Sequence, residues 1–439
     1  MSSISKAEFS QRRHTFMAQM GAESIAIFPS APIPERNNSV EYRYRQNSDF
    51  QYLCGFPEPQ AILVLIPGRS DGSTVLFCRD RNPEREQWEG KRQGQDGAII
   101  NYGVDQAFSI EEVDQILPSL IDGCTRVYSN IGEDADFDNQ IQEWTNSVRE
   151  QARMGAQVPT QFHAAQPILH EMRLIKSPAE IALMQKAMNI SAQAHINAMK
   201  AAKQGLYEYS LEAELEYEFR KGGAQHVAYN SIVASGSNAC ILHYNENDQP
   251  LVNGDLVLID AGCEIDCYAS DITRTFPVSG KFSTEQKAIY QIVLKANFAA
   301  FNYISPKHRW YDAHNAAVKV ITEGLVELGI LQGDVEELIK AQAYRPFYMH
   351  GTGHWLGLDV HDVGDYKING EGRPLQVGMV LTVEPGIYIS PEDTTVAEKW
   401  RGIGVRIEDN VVVTADGCQV LTNKAPKSVA EIEALMAQA

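Results

Sequence analysis

Two aspartates stand where apolar neighbours predict a pair of buried strands. The run 256–259 leads directly into Asp260, and a second strand-like run, 268–276, contains Asp271. If these runs form a hairpin that turns between residues 265 and 266, the two aspartates lie directly opposite each other, with Cβ atoms about 5 Å apart. Two carboxylates that close either take up protons or need a cation between them. A surface hairpin with ordinary exposed acids is the alternative.

Two glutamates occupy similar positions later in the chain. Glu384 ends the apolar run 379–383, and Glu408 lies among aliphatic residues within the strand-like run 404–413. Charged groups at buried strand positions must be paired or must bind metal. Arg406 precedes Glu408 by two residues and therefore points to the same face of a strand. A structural Arg–Glu pair is thus the alternative explanation for Glu408.

Four histidines accompany these acids. His350, His354 and His361 fall within twelve residues, among glycines that permit close backbone approach, and His243 lies in the segment 240–244. A lone histidine in any of these places is more often a core residue than a ligand. The motif HExxH is absent, so a thermolysin-like zinc site is not indicated, and the absence of GxSxG disfavours a Ser–His–Asp hydrolase.

The part of the chain before these residues predicts a mixed α/β domain. A capping box at Ser5 and Glu8 opens a helix through about Met20. Short apolar runs separated by turn residues predict strands, and helical patterns lie between or after them. We expect strands near 24–28, 61–66, 74–78 and 126–128, and helices near 109–121 and 138–152.

A second domain begins with a helix start signal. Ser177 can cap a helix, Pro178 suits its first position, and Glu180 completes a capping box. From there the pattern runs from helices to strands twice, which fits an α+β domain with two related halves. We expect helices near 178–199 and 211–220, one that starts at Ser283, others near 311–328 and 334–342, and a last helix capped by Ser428 with Glu431. Strands are expected within 230–278 and near 346–349, 379–383, 386–389 and 405–413.

The overall charge and the cysteines limit the functional class. The chain has 439 residues and a formal net charge of −19, which argues against nucleic acid and against an anionic membrane surface as partners. No run approaches the ~20 apolar residues of a membrane span, and the first residues lack a signal peptide's apolar stretch. Seven cysteines without a CxxC motif predict a reducing, cytoplasmic setting.

Five segments together resemble the metallopeptidases of the pita-bread fold, specifically the Xaa-Pro aminopeptidase (aminopeptidase P) family. In chain order they are ILHYNEN, LVLIDAGCEIDCYASDITRTFPV, MHGTGHWLGLDVHD, VLTVEPGIY and RGIGVRIEDN. The resemblance extends upstream through YRQNSDFQYLCGF (44–56) and HEMRLIKSP (170–178), and so covers nearly the whole chain. It implies an α+β protein with an N-terminal α/β domain, 1–172, for oligomerisation and substrate access, and a pita-bread catalytic domain, 173–439.

The resemblance also implies a role for each site residue. Glu384 would act as general base, His361 and His243 would bind substrate and stabilise the tetrahedral intermediate, and His350 would line the proline pocket. Tyr388 and Arg406 would lie near the metals as an ordering pair and belong to the substrate-binding residues, although Tyr388 could be a core residue and Arg406 could only position Glu408. The metal ligands would be Asp260, Asp271, His354, Glu384 and Glu408.

Two divalent metal ions are the implied cofactors. Asp271 and Glu408 would bridge them, Asp260 would complete one site, and His354 and Glu384 the other. Four carboxylates and one imidazole suit Mn²⁺, with Co²⁺, Zn²⁺ or Fe²⁺ as alternatives. Ions about 3.5–4 Å apart would hold a hydroxide as nucleophile and polarise the scissile carbonyl of a peptide with an N-terminal Xaa-Pro sequence.

Three further expectations follow from the resemblance. Prolidase, which cleaves Xaa-Pro dipeptides, and a metal-free binding protein on the same fold are the alternative functions. A homo-oligomer, dimer or tetramer, is expected, with a segment around Trp88 approaching a neighbour's active site. Relatives often carry Asp where this sequence has Ser39, so that acid's supporting role is in doubt here.

Overall fold

The computed structural model describes residues 4–438, which fall into two compact units, one ending at Arg173 and one beginning at Leu174. The first unit contains seven helices among its described residues: α1 (Lys6–Met20), α2 (Ser48–Cys54), α3 (Pro83–Glu89), α4 (Gly94–Tyr102), α5 (Val113–Ile121), α6 (Ala135–Glu150) and α7 (Gln166–Leu174). Its strands are β1 (Ser24–Pro29), β2 (Glu35–Asn37), β3 (Val40–Glu41), β4 (Ile62–Leu65), β5 (Thr74–Cys78), β6 (Gln106–Ser109), β7 (Arg126–Ser129) and β8 (Gln161–Ala164).

A six-stranded mixed sheet, in the order β6-β5-β4-β1-β7-β8, organises the first unit. Its central strands β1 and β4 are antiparallel, whereas β7 and β8 run parallel to β1. Apolar side chains from one sheet face pack against α5 and α6, with Val64, Val127, Leu117 and Trp144 in the same cluster. The predicted α/β character of this region is therefore confirmed.

The second unit has helices α8 (Pro178–Ala201), α9 (Glu208–Lys221), α10 (Thr284–Phe301), α11 (Trp310–Glu327), α12 (Val335–Lys340) and α13 (Val429–Met436). Its strands are β9 (His226–Val227), β10 (Ile232–Ser235), β11 (Leu256–Asp260), β12 (Cys263–Ile265), β13 (Tyr268–Ala269), β14 (Thr273–Pro277), β15 (Lys367–Ile368), β16 (Glu371–Gly372), β17 (Val380–Val383), β18 (Gly386–Tyr388), β19 (Gly404–Arg406), β20 (Asp409–Val413) and β21 (Cys418–Val420). Ser177 and Glu180 form the predicted capping box at α8.

The second unit consists of two halves of similar construction. We call residues 174–280 the aspartate half and residues 281–438 the glutamate half. In the aspartate half, the packed helices α8 and α9 accompany the antiparallel sheet β10-β11-β14. In the glutamate half, α10 and α11 accompany the antiparallel sheet β17-β20-β21. Each three-stranded sheet adjoins two of the four predicted acidic ligands.

Two predicted strands differ from the structure. Residues 346–349, within the described part of the chain, form turns and irregular backbone, although Phe347 and Tyr348 are buried as strand residues would be. The predicted strand 405–413 is interrupted at Ile407 and Glu408, where the chain leaves β19 before it enters β20. Among the described residues, none of the helices combines the length and the hydropathy that crossing a bilayer requires.

Candidate metal centre

A cavity of about 730 Å³ in the second unit brings the predicted site residues together. Nine of the ten predicted residues line it: His243, Asp260, Asp271, His350, His354, His361, Glu384, Arg406 and Glu408. The tenth, Tyr388, is buried behind the wall, where its hydroxyl lies 2.8 Å from Nε2 of His350. Residues separated by up to 165 positions in the sequence therefore meet at one site.

The closest grouping of ligand atoms contains one residue from the aspartate half and two from the glutamate half. One donor atom each of Asp271, His354 and Glu408 lie within 4.8 Å of one another. Nε2 of His354 is also 3.4 Å from Oδ2 of Asp271 and 3.5 Å from Oε1 of Glu384. Oxygen and imidazole donors at such separations form the kind of set that binds divalent metal ions.

The predicted register of the aspartate hairpin is wrong. Asp260 pairs with Thr273, two residues beyond the position expected, and Ile265 pairs with Tyr268. The reason is a two-residue turn at Asp266 and Cys267, whose φ angles of 49° and 69° are both left-handed, as a type I′ hairpin turn requires. Because side chains alternate along a strand, a shift by two residues leaves Asp260 and Asp271 on the same face of the hairpin, so the prediction that both face one site still holds.

Tyr229 joins the two aspartates, and the sequence interpretation missed it. Its hydroxyl donates to Oδ1 of Asp260 at 2.6 Å and also contacts Oδ1 of Asp271. Burial, then the charges of Asp260 and Asp271, raises the pKa of Tyr229 well above its usual value, so the hydroxyl keeps its proton. The contacts span 31 and 42 residues, so no local spacing indicated them.

Arg406 is paired with Asp260, whereas the alternative explanation for Glu408 had paired it with that glutamate. Its Nη2 donates to Oδ2 of Asp260 at 2.6 Å, and its Nη1 donates to the Tyr388 hydroxyl at 3.0 Å. Glu408 instead accepts a hydrogen bond from Thr273 Oγ1 at 2.7 Å. The Arg406–Glu408 pair offered as the alternative is therefore wrong, because β19 directs the guanidinium across to the end of β11.

Thr382 and Asn410 also form hydrogen bonds to the predicted ligands and were not identified from the sequence. The Thr382 hydroxyl accepts from the backbone N–H of His354 at 3.0 Å and donates to Oε1 of Glu384 at 3.1 Å. The Asn410 side chain accepts from the backbone N–H of Asp271 at 3.0 Å. Thr382 is the one polar residue in the apolar run 379–383, and this was the only signal in the sequence that could have identified it.

The electrostatics of the site favour bound cations. Burial raises the pKa of Glu384 to about 7, and burial together with Asp271 raises the pKa of Glu408 well above its usual range. Burial also raises the pKa of Asp260, against the lowering effect of Arg406. Although burial alone would lower the pKa of His354, Asp271 and Glu384 raise it to about 9. Although burial alone would raise it, the hydrogen bond to His354 lowers the pKa of Asp271. The raised pKa values of the other three acids favour protonated carboxyl groups, and bound cations would favour the ionised form instead.

The remaining histidines occupy the accessible part of the cavity. His361 and His243 are exposed, and the ring of His361 lies 4.4 Å from that of His354 in an edge-on arrangement. His350 is partly buried and forms hydrogen bonds to the Gly351 carbonyl and the Tyr388 hydroxyl. In the first unit, Ser39 lies in the turn between β2 and β3 with φ at 62°, and Trp88 on α3 is 88% exposed.

Comparisons with known proteins agree along the whole chain. Residues 182–415 match Metallopeptidase family M24, and residues 9–128 match the aminopeptidase P N-terminal domain. The chain is 48% identical to the Xaa-Pro aminopeptidase of Escherichia coli, over 100% of this chain and 99% of that protein. The solved structure of Pseudomonas aeruginosa aminopeptidase PepP is 62% identical over 100% of this chain and 99% of that one, with a TM-score of 0.99. Zn-substituted E. coli aminopeptidase P, solved in complex with product, is 47% identical over 100% and 99%, with a TM-score of 0.96.

These findings identify the class of protein first. The chain belongs to metallopeptidase family M24. Within that family, the relatives that are 48% identical over 98% or more of their length are Xaa-Pro aminopeptidases, and the protein functions as a metalloaminopeptidase of this kind. The predicted family, the α+β fold with a pita-bread domain, and the enzyme class are thereby confirmed, and the relatives favour the aminopeptidase over prolidase.

Proposed function

We propose that the protein hydrolyses Xaa-Pro bonds with two divalent metal ions held by Asp260, Asp271, His354, Glu384 and Glu408. The observation that carries this proposal is the convergence of Asp271, His354 and Glu408 donor atoms within 4.8 Å. Four carboxylates could balance two divalent ions, and such a donor set suits Mn²⁺. Bound there, the ions would supply Lewis acidity and a water of lowered pKa.

Different side chains of the site carry out proton transfer, peptide binding and recognition of the proline ring. Glu384, oriented by the Thr382 hydroxyl, is positioned as the general base that moves a proton to the leaving proline nitrogen. The exposed His243 and His361 bind the peptide and stabilise the developing negative charge. His350, held by Tyr388, lines the pocket for the proline ring.

Selectivity for proline follows from the chemistry of its amide. An Xaa-Pro bond has no N–H, and the ring fixes the backbone geometry. A peptidase that grips the amide N–H at this position cannot use such a bond, whereas a rigid pocket for the ring can. Peptides with an N-terminal Xaa-Pro sequence are therefore the proposed substrates.

A substrate comparison tests this proposal. Metal-depleted and Mn²⁺-restored protein would be assayed on Ala-Pro-Ala and on Ala-Pro, with Asp271→Asn as the inactive control. We expect Mn²⁺-dependent cleavage of the tripeptide and little cleavage of the dipeptide. Cleavage of the dipeptide alone would establish a prolidase, and activity that survives complete chelation would exclude the metal mechanism.

We also propose a homo-oligomer, dimer or tetramer, located in the cytoplasm. Trp88 supports the first part, because an 88% exposed tryptophan on a helix without buried residues is a surface that a partner commonly covers. Seven free cysteines support a reducing compartment. Light scattering should show that the wild type is a dimer or tetramer and that Trp88→Ser dissociates more readily. A monomeric wild type would contradict the proposed oligomer.

A further inference from the structure

One buried side chain contacts the backbone beside both glutamate ligands. Asn297, on α10, is fully buried. Its Nδ2 donates to the carbonyl of Val383 at 3.0 Å and, more weakly, to the carbonyl of Ile407 at 3.4 Å. These two residues directly precede Glu384 and Glu408. An amide nitrogen has two hydrogens, so it can serve both carbonyls at once.

Lys427 fixes which way this amide points. Its ammonium group donates to Oδ1 of Asn297 at 2.8 Å. Because an ammonium group can only donate, the amide oxygen must face Lys427 and the amide nitrogen must face the two carbonyls. The ammonium also donates to Oδ2 of Asp409 at 2.6 Å and lies 4.7 Å and 4.6 Å from the ring centres of Phe298 and Phe301.

We propose that Asn297 is a positioning residue that sets the separation of the Glu384 and Glu408 carboxylates, with Lys427 fixing the orientation of its amide. The inference rests on the proposed function, in which both glutamates hold metal. Neither Asn297 nor Lys427 lines the cavity that holds the ligands. Residues that support metal ligands from behind typically change metal affinity about 10- to 100-fold when they are replaced.

Asn297→Asp is the most direct test. It preserves the size of the side chain and an oxygen towards Lys427, but it places an acceptor against the carbonyls of Val383 and Ile407. We expect Mn²⁺ to bind about 10- to 100-fold more weakly in calorimetric titration of the metal-free protein. The visible absorption spectrum of the Co²⁺-loaded protein should also change, because the two carboxylates would meet the metal at altered positions.

Two further variants make the result specific. Lys427→Met keeps the Asn297 side chain but removes the ammonium group that fixes the orientation of its amide, and should weaken Mn²⁺ binding by a smaller factor. It carries the test if Asn297→Asp fails to fold. Leu325→Ala, in the core of the neighbouring helix α11, lowers stability without touching a ligand segment and should leave Mn²⁺ affinity unchanged.

The outcomes separate this inference from the proposed function. Wild-type protein that binds no Mn²⁺ would overturn the proposed function. If the wild type binds two ions per chain and Asn297→Asp binds them with equal affinity and an unchanged Co²⁺ spectrum, only the positioning role is overturned. Equal weakening in Leu325→Ala would also overturn it, because the loss would then reflect general destabilisation.

Discussion

The backbone beside the acidic residues is supported by different physical means in the two halves of the second unit. In the aspartate half, His195 on α8 is fully buried, and its Nε2 lies 3.0 Å from the carbonyl of Ala261, next to Asp260. In the glutamate half, the backbone at Glu408 is supported by charged groups. Arg274 reaches it from β14 of the aspartate half: its Nη1 donates to the carbonyl of Glu408, and its Nη2 donates to Oδ1 of Asp409 at 2.8 Å. Lys427 completes this group.

The difference shows that one geometrical task can be met with or without buried charge. Burial lowers the pKa of His195 to about 4, so its side chain, which we call the neutral brace, is an uncharged imidazole at physiological pH. Although burial alone would raise it, Arg274 and Lys427 lower the pKa of Asp409 to about 2, so Asp409 stays ionised. We call Arg274, Asp409 and Lys427 together the charged brace. The two halves should therefore respond differently to substitution and to acid.

The largest expected effect is a loss of activity that should be equally large when a proposed bridging carboxylate is removed from either half. Asp271→Asn and Glu408→Gln each remove a proposed bridging carboxylate, one from each half. Because metal catalysis supplies several kcal/mol of transition-state stabilisation, we expect each to lower kcat/KM for Ala-Pro-Ala on the order of 10³-fold. Elemental analysis should show less than two ions per chain in both. Full metal content in either variant would show that the substituted carboxylate is dispensable for metal binding.

The second prediction concerns the charged brace. Arg274 is fully buried, and its guanidinium also donates to the carbonyls of Ala425 and Pro426. Arg274→Met should lower the free energy of unfolding by roughly 3–5 kcal/mol, the cost of breaking a buried ion pair. Urea unfolding followed by circular dichroism measures this loss.

A surface ion pair provides the matched control for Arg274. Lys281, whose side chain is 70% exposed, pairs with Glu433 at 2.8 Å. Lys281→Met should cost no more than about 1 kcal/mol, since solvent screens exposed pairs. Equal losses in the two variants would mean that the buried network contributes no more than a surface pair.

The third prediction uses acid to distinguish the halves. His195 has its pKa lowered from 6.5 to about 4 in the folded protein, so the unfolded chain takes up the proton first and stability falls as the pH drops from 6.5 towards 4. His195→Gln does not titrate, so the wild type should lose about 3 kcal/mol relative to this variant over that interval, at about 1.4 kcal/mol per pKa unit.

Asp409→Asn is the companion measurement from the other half. The lowered pKa of Asp409 stabilises the fold above its unfolded value of 3.8, and that stability is lost only as the pH falls towards 2. The difference between Asp409→Asn and the wild type should therefore stay constant from pH 7 to pH 5. Parallel pH profiles for His195→Gln and the wild type would refute the assignment of a neutral brace to the aspartate half.

The smallest expected effect concerns Tyr229. Tyr229→Phe removes the hydroxyl shared by Asp260 and Asp271, and should weaken Mn²⁺ binding about tenfold. Tyr244→Phe is the control, because this buried tyrosine donates to Glu208 instead of a proposed ligand. Calorimetric titration of both proteins gives the comparison, and equal affinities would assign Tyr229 a purely structural contact.

Local sequence signals predicted much of the architecture. The capping boxes at Ser177 with Glu180 and at Ser428 with Glu431 begin α8 and α13 as expected. Such signals succeed because a cap involves residues only three apart, whose interaction does not depend on the tertiary fold. The clustering of the predicted site residues depended instead on a family resemblance, since no local rule brings Asp260 to Glu408.

The features that were missed depend on tertiary contacts. The turn at Asp266 and Cys267 places two residues other than glycine in the left-handed region, so the usual Asn-Gly or Asp-Gly signal was absent. Arg406 pairs with Asp260, 146 residues away, and not with its near neighbour. Asn297 reads as one polar residue in an amphipathic helix, and its contacts are known only when β17 and β19 lie beside α10.

The position of Lys427 after all five proposed ligands in the sequence has a consequence for biosynthesis. All five proposed ligands have been synthesised once residue 408 is added, yet the carbonyls of Ala425 and Pro426 and the ammonium of Lys427 follow later. A ribosome-bound chain that ends before these residues lacks the partners of Arg274 and Asn297. The glutamate half can therefore reach its final geometry only after Lys427 has been synthesised, 19 residues later than the last of the five proposed ligands.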